Sequence, residues 1–298
     1  VKIGAVMPIG EGELAGRTAT YPELRAIARA AEAAGLDSIW VYDHLLFRFP
    51  GEPTTGIHEA WSMLAALAAD TEKVALGTLV MAVPFRNPAL LAKMAATVDE
   101  ISAGRLILGI GTGWHEPEFD AFGIPFDHRA SRFEEALRII VPLLRTGHAD
   151  FSGRYHAAKD VALLPRGPRP QGPPILIAAR GPRMLRLTAR YADAWNAAWF
   201  GDVAQSRTRV GQLRQALADE GRDPASMTIT AGINVVFPHL LEAGDEPPEQ
   251  AHRGTPEEIA PGLRAYADEG IDHLIAAVTP STPASMEALS LAARLARA

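Results

Sequence analysis

Cysteine is missing from this 298-residue chain. Disulfides, thiolate metal sites and a cysteine nucleophile are therefore excluded. No apolar run approaches ~20 residues, so no bilayer-spanning helix is expected. Positive charge is not in surplus: 29 Lys and Arg stand against 35 Asp and Glu, a formal net charge of -6. That balance argues against nucleic acid or an anionic membrane as partner and leaves a small molecule as the expected one. The opening VKIGAVMPIG is apolar but short, without the charged flank and apolar core of a secretion signal. A cytoplasmic location is the default expectation. Hydrophobic residues, by contrast, make up 48% of the chain, enough for a large core. The length is within reach of a single α/β barrel.

Strand-like and helix-like segments alternate from end to end. KIGAVM (2–7), SIWVY (38–42), VALGTLV (74–80) and RLILGI (105–110) are apolar runs of strand character. PILIAA (174–179), DAWNAA (193–198), MTITAGINVVF (227–237) and HLIAAV (273–278) continue the series. Helical spacing follows each of them, as at 22–34, where Leu24, Ile27, Ala28 and Ala31 form one stripe and Gly35 closes the helix. Two stretches break the rhythm. Residues 147–173 read as a hairpin and a Pro/Gly/Arg-rich link, and 238–254 as a polar, Pro-containing excursion. The junctions EAAGLDSIWV (32–41) and DEGIDHLIAAV (268–278) echo each other, the mark of repeated βα units. The pattern predicts a (β/α)8 TIM barrel forming one domain over 1–298, with those two insertions. An open doubly wound sheet is the alternative.

In such a barrel, active sites gather at the C-terminal ends of the strands. Asp43 and His44 end the second strand, where IWVYDHLLF turns abruptly polar. Met7, Leu79 to Val83, Gly111 to Glu116, Ala179 to Pro182 and Asn196 to Trp199 occupy matching positions. An imidazole there titrates near neutrality and can exchange a proton with a substrate. The competing structural reading is an Asp that caps the loop and a hydrogen-bonded His.

GIGTGWHE (109–116) ends the fourth strand. It is no dinucleotide fingerprint: Trp114 stands where the third glycine belongs, and no helix is expected directly after it. Its glycines either let backbone approach a flat ligand or relieve crowding in the barrel. Gly181 and Pro182 lie where a strand hands over to a helix, a place that favours an anion, with Arg180 and Arg183 adding positive charge. Arg186 and Arg190 read as a solvated face. His58-Glu59 and His115-Glu116 resemble the start of a zinc-protease motif, but Ser62 and Phe119 stand where the second His belongs. No metal is expected, and no G-x-S-x-G signals serine hydrolysis. Of the five tryptophans, Trp114 and Trp199 sit at strand ends and are candidates for an aromatic pocket wall.

DEISAGRLILGIGTGW, together with IWVYDHL, FSGRYHAAKDVALLP and PILIAARGPRMLRLTARYADAWN, resembles the luciferase-like oxidoreductases, most closely their coenzyme F420 (deazaflavin) branch. The resemblance covers about residues 20 to 200. It implies a barrel, and it implies roles. Asp43 would contact the deazaflavin ring, and His44 would be the acid-base residue. Leu79 and Val80 would form a bulge that often carries a non-prolyl cis peptide. Ala82, Thr112, Gly113 and His115 would line the cofactor, and Ala179, Arg180, Gly181 and Pro182 would approach its phosphate or side chain.

Two departures matter. In the best-known sugar-phosphate dehydrogenase of the family a catalytic Glu follows the Thr-Gly pair, and here Trp114 does. Arg180 also stands where a Gly is frequent. Sugar-phosphate oxidation is therefore not expected. The expectation is hydride transfer between coenzyme F420 and a small organic substrate. An FMN-dependent monooxygenase and a non-catalytic flavin- or deazaflavin-binding protein are the alternatives. An aldolase-type barrel would want a strand-end Lys, which is missing. Relatives often dimerise, which leaves a homodimer open.

Overall fold

The computed structural model describes residues 1–200 and 202–298. The apolar runs form β1 (Lys2–Val6), β2 (Ser38–Val41), β3 (Ala75–Thr78), β4 (Leu106–Gly111), β5 (Ile175–Ala178), β6 (Ala194–Trp199), β7 (Thr228–Val236) and β8 (His273–Thr279). Each pairs in parallel with the next, and β8 returns to β1 through Lys2–His273 and Gly4–Ile275. Among the described residues, eight strands thus close a (β/α)8 barrel, and the open sheet is excluded.

The amphipathic segments form α1 (Tyr21–Ala34), α2 (Ala60–Asp70), α3 (Pro88–Ile101), α4 (Arg129–Thr146), α5 (Pro182–Tyr191), α6 (Val203–Asp219), α7 (Pro256–Asp268) and α8 (Pro283–Arg297). Their ends are written in the sequence. Thr20 with Glu23 and Thr255 with Glu258 make capping boxes, Asn87 caps α3 ahead of Pro88, and Gly35 and Gly147 stop α1 and α4 in the left-handed region. No helix among the described residues is long and apolar enough to cross a membrane.

Three details differ from or sharpen the sequence reading. A short helix, Glu116–Ala121, opens two residues after Trp114, where none was expected. Pro117 and two first-turn acids, Glu116 and Glu118, favour that start. The insertion after α4 is an antiparallel hairpin, His148–Ser152 with Ala157–Ala162. Its turn is pinned by Glu135, which accepts the backbone N–H groups of Arg154, Tyr155 and His156. The second insertion contributes a two-residue strand, His252–Arg253, alongside β7.

Two cores result. The larger lies between strands and helices. The smaller fills the barrel with Trp40, Leu176, Ala194 and Ile275. Trp40 fits only because two neighbours are glycines: a Cβ on Gly77 would lie 2.1 Å from the indole, and one on Gly4 would lie 2.7 Å from Nε1. The indole Nε1 donates to Ser38 Oγ at 2.6 Å, and that hydroxyl meets His273 Nε2 at 2.7 Å. Burial pushes the His273 imidazole down to about 4. This plug forms the floor of what lies above.

Candidate active site

Above the floor, at the C-terminal ends of β1 to β6, the barrel opens into a cavity of about 660 Å³. Val6, Leu79, Val80, Ala178 and Ala197 line it with aliphatic surface. Val6 takes the place expected for Met7. Side chains alternate along β1, and Met7 turns into the outer core. The Leu79–Val80 peptide is cis.

Asp43 and His44 both line the cavity, and their side chains take different partners. The Asp43 carboxylate accepts Ala82 N–H at 2.9 Å and two Arg86 bonds at 2.6 and 3.1 Å. Burial pushes its carboxyl up, against the pull of Arg86 and the Ala82 N–H. Arg86, which also binds Glu59, is held above the usual guanidinium range: burial alone would lower it, and its two carboxylate partners outweigh that. Asp43 thus fixes the Ala82 loop while forming part of the wall. His44 Nδ1 lies 2.8 Å from Glu118 Oε1. Glu118 is fully buried, and its other oxygen accepts Leu45 N–H at 2.8 Å. An ionised Glu118 can only accept, so against it Nδ1 carries the proton. Nε2 is then the basic nitrogen, and it has no hydrogen-bond partner among the described residues.

Ala82, Thr112 and Gly113 line the cavity. The glycines of β4 answer the question left open above. A Cβ on Gly109 would lie 1.8 Å from Thr78 O, so that glycine relieves crowding between β3 and β4. Gly111 does likewise against Val80 and also lines the cavity. Ala179 and Arg180 reach the cavity; Gly181 and Pro182, which open α5, are not among its lining residues. His115 is not brought to the cavity either. It is buried behind the wall, where Nε2 accepts Arg48 N–H at 2.9 Å and burial lowers its imidazole. Arg183 pairs with Glu134 and Arg190 with Glu220. Trp114 and Trp199 line the cavity.

Sequence reasoning missed Glu118, Arg86, Glu13 and Arg129. Glu118 and Arg86 meet their partners over 74 and 43 residues, which no local pattern signals. Glu13 lines the cavity beside Tyr42, whose hydroxyl donates to it at 2.6 Å, while Gly10 N–H donates to its other oxygen at 2.8 Å. Burial raises the Glu13 carboxyl, and burial together with the Glu13 charge raises the Tyr42 hydroxyl. Arg129 lines the cavity and donates to Gly113 O at 2.6 Å; Arg180 Nε donates to Ala197 O at 2.9 Å. Both guanidinium groups keep further N–H donors for a ligand.

Comparison with known proteins gives the family and the fold. The family model described as luciferase-like monooxygenase matches residues 1–246. A phthiodiolone/phenolphthiodiolone dimycocerosates ketoreductase of Mycobacterium tuberculosis is 33% identical over 305 residues, spanning 93% of this chain and 78% of that protein. An F420-dependent glucose-6-phosphate dehydrogenase of Kineococcus radiotolerans is 34% identical over 239 residues, spanning 78% and 67%. Among solved structures, an F420-dependent secondary alcohol dehydrogenase superposes with a TM-score of 0.82 at 18% identity, covering 100% of this chain and 99% of that one. At that identity the likeness speaks for the fold.

Proposed function

Because the chain belongs to the luciferase-like monooxygenase family, we propose that it is an oxidoreductase that moves a hydride between coenzyme F420 and a ketone–secondary alcohol pair. The observation that carries this reading is His44, held by Glu118 through Nδ1 with Nε2 left for a ligand beside an apolar-walled cavity. A relative named as a ketoreductase and one named as an F420-dependent dehydrogenase support the reaction class and the cofactor.

The residues present fit a deazaflavin. Leu79, Val80, Ala178 and Ala197 offer aliphatic surface to a flat ring, and Arg129 and Arg180 offer cations to an anionic side chain. When bound, a deazaflavin would supply the hydride acceptor or donor. The chain's own residues do the rest. In alcohol oxidation, His44 Nε2 takes the hydroxyl proton as the hydride leaves the carbinol carbon, and a ketone remains; reduction returns that proton from the imidazolium. Glu118 holds the ring orientation and offsets the charge His44 acquires. The apolar walls exclude water, which strengthens both effects. Asp43, through Arg86 and Ala82, keeps the wall in place.

The test is loss of F420 absorbance when purified protein meets the cofactor and a secondary alcohol. Turnover should fall ~10²–10⁴-fold in His44→Ala. Undiminished turnover in that variant would remove His44 from the chemistry.

A further inference from the structure

The aromatic surface around His44 extends past the cavity mouth. Leu46–Phe47 pairs with Thr55–Gly56 in a small hairpin, and Phe47 and Phe49, two residues apart, set their rings on one side. Those rings stack, with centroids 5.9 Å apart and planes 20° apart. The inner one, Phe47, lies 4.5 Å from the His44 imidazole. Trp114 flanks both, 5.4 Å from His44 and 6.3 Å from Phe47. His115 backs the row from behind, 5.0 Å from Phe49. Trp114 is 57% exposed and Phe49 41% exposed.

Large aromatic side chains are normally spent on a core, and a contiguous exposed group of them beside a pocket marks a surface that is covered in use. Arg48, between the two phenylalanines, donates its Nε to Thr54 Oγ1. The planes are not coplanar: Phe47 is tilted 46° to His44 and 32° to Trp114. One flat polycycle cannot stack on all of them, whereas C–H groups of a flexible chain can meet faces and edges alike.

We propose that Phe47, Phe49 and Trp114 form a shelf for a saturated hydrocarbon tail. The substrate is then a long-chain aliphatic ketone or secondary alcohol whose oxygen sits at His44 and whose chain runs outward over Phe47 and Phe49. The placement of the oxygen rests on the role given to His44 above; the shelf itself does not. A phosphorylated sugar has no hydrocarbon tail to lay on these rings.

Calorimetric titration of the cofactor-free protein with 2-butanone, 2-heptanone and 2-decanone tests the shelf without turnover. Each methylene laid on apolar surface contributes up to ~0.8 kcal/mol. Affinity should therefore climb about two- to fourfold per added methylene. Phe49→Ser should reduce the climb, and Trp114→Ala with Phe49→Ala should flatten it; both sites are exposed, and unchanged far-ultraviolet dichroism checks the fold. Affinity independent of chain length, or a climb that survives the double variant, overturns the shelf. A separate titration with coenzyme F420 keeps the two readings apart. F420 binding without the climb sinks only the shelf, and the climb without F420 binding sinks only the deazaflavin reading.

Discussion

Glu118 Oε1 lies 2.8 Å from His44 Nδ1, joining two residues 74 positions apart. The short helix Glu116–Ala121 carries this carboxylate to the end of β2. The contact decides which imidazole nitrogen is basic, and so it gives the cavity a direction for proton transfer.

Glu118→Gln keeps the size of the side chain and removes the charge that offsets a protonated His44. Turnover should fall on the order of 10²-fold, near the lower end for loss of a general acid-base group. Affinity for the cofactor, measured by titration, should stay as it was. Normal turnover in this variant would show that the contact only packs.

Arg86→Met strands the Asp43 carboxylate in a buried site with the Ala82 N–H as its remaining partner. Breaking a buried pair from one side costs about 3–5 kcal/mol. Denaturant unfolding should show a loss of that order. Adding Asp43→Asn to Arg86→Met should recover part of it, because the stranded charge is gone. Equal stability of wild type and Arg86→Met would refute this account of the wall.

His273 sets a pH dependence on the fold. Its folded value is about 4, below the ordinary 6.5, because burial disfavours the charged ring. Between those values the unfolded chain binds a proton that the folded chain refuses. The contribution is thus present in full above pH 6.5, is lost as pH falls toward 4, and changes no further below that. The loss is roughly 3 kcal/mol at most. Urea midpoints across pH 7 to 4 should drop in the wild type and drop less in His273→Gln. Parallel curves would assign the acid sensitivity to other groups.

Much of the frame was legible from sequence because it rests on local rules. Strand runs, the Asn87–Pro88 start and the Gly35 stop need only neighbouring residues. The strand-end rule then placed Asp43, His44, Ala82, Thr112, Gly113, Ala179 and Arg180 at one cavity. What it missed has a common cause. Glu118 and Arg86 act through long-range contacts, and sequence spacing carries no trace of those. His115 misled because a strand end gives a position and not a side-chain direction: it turns behind the wall toward Arg48 N–H, while its neighbour Trp114 faces the cavity. The β4 glycines carried two readings that sequence alone does not separate, and the backbone of Thr78 against Gly109 decides for relief of crowding there.

The most direct measurement is a side-by-side equilibrium titration of the purified protein with coenzyme F420 and with FMN. Saturable binding of F420 with much weaker FMN binding is the result expected from the deazaflavin reading. Tight FMN binding with none for F420 would contradict it, and would make the chain a flavin-dependent member of the family.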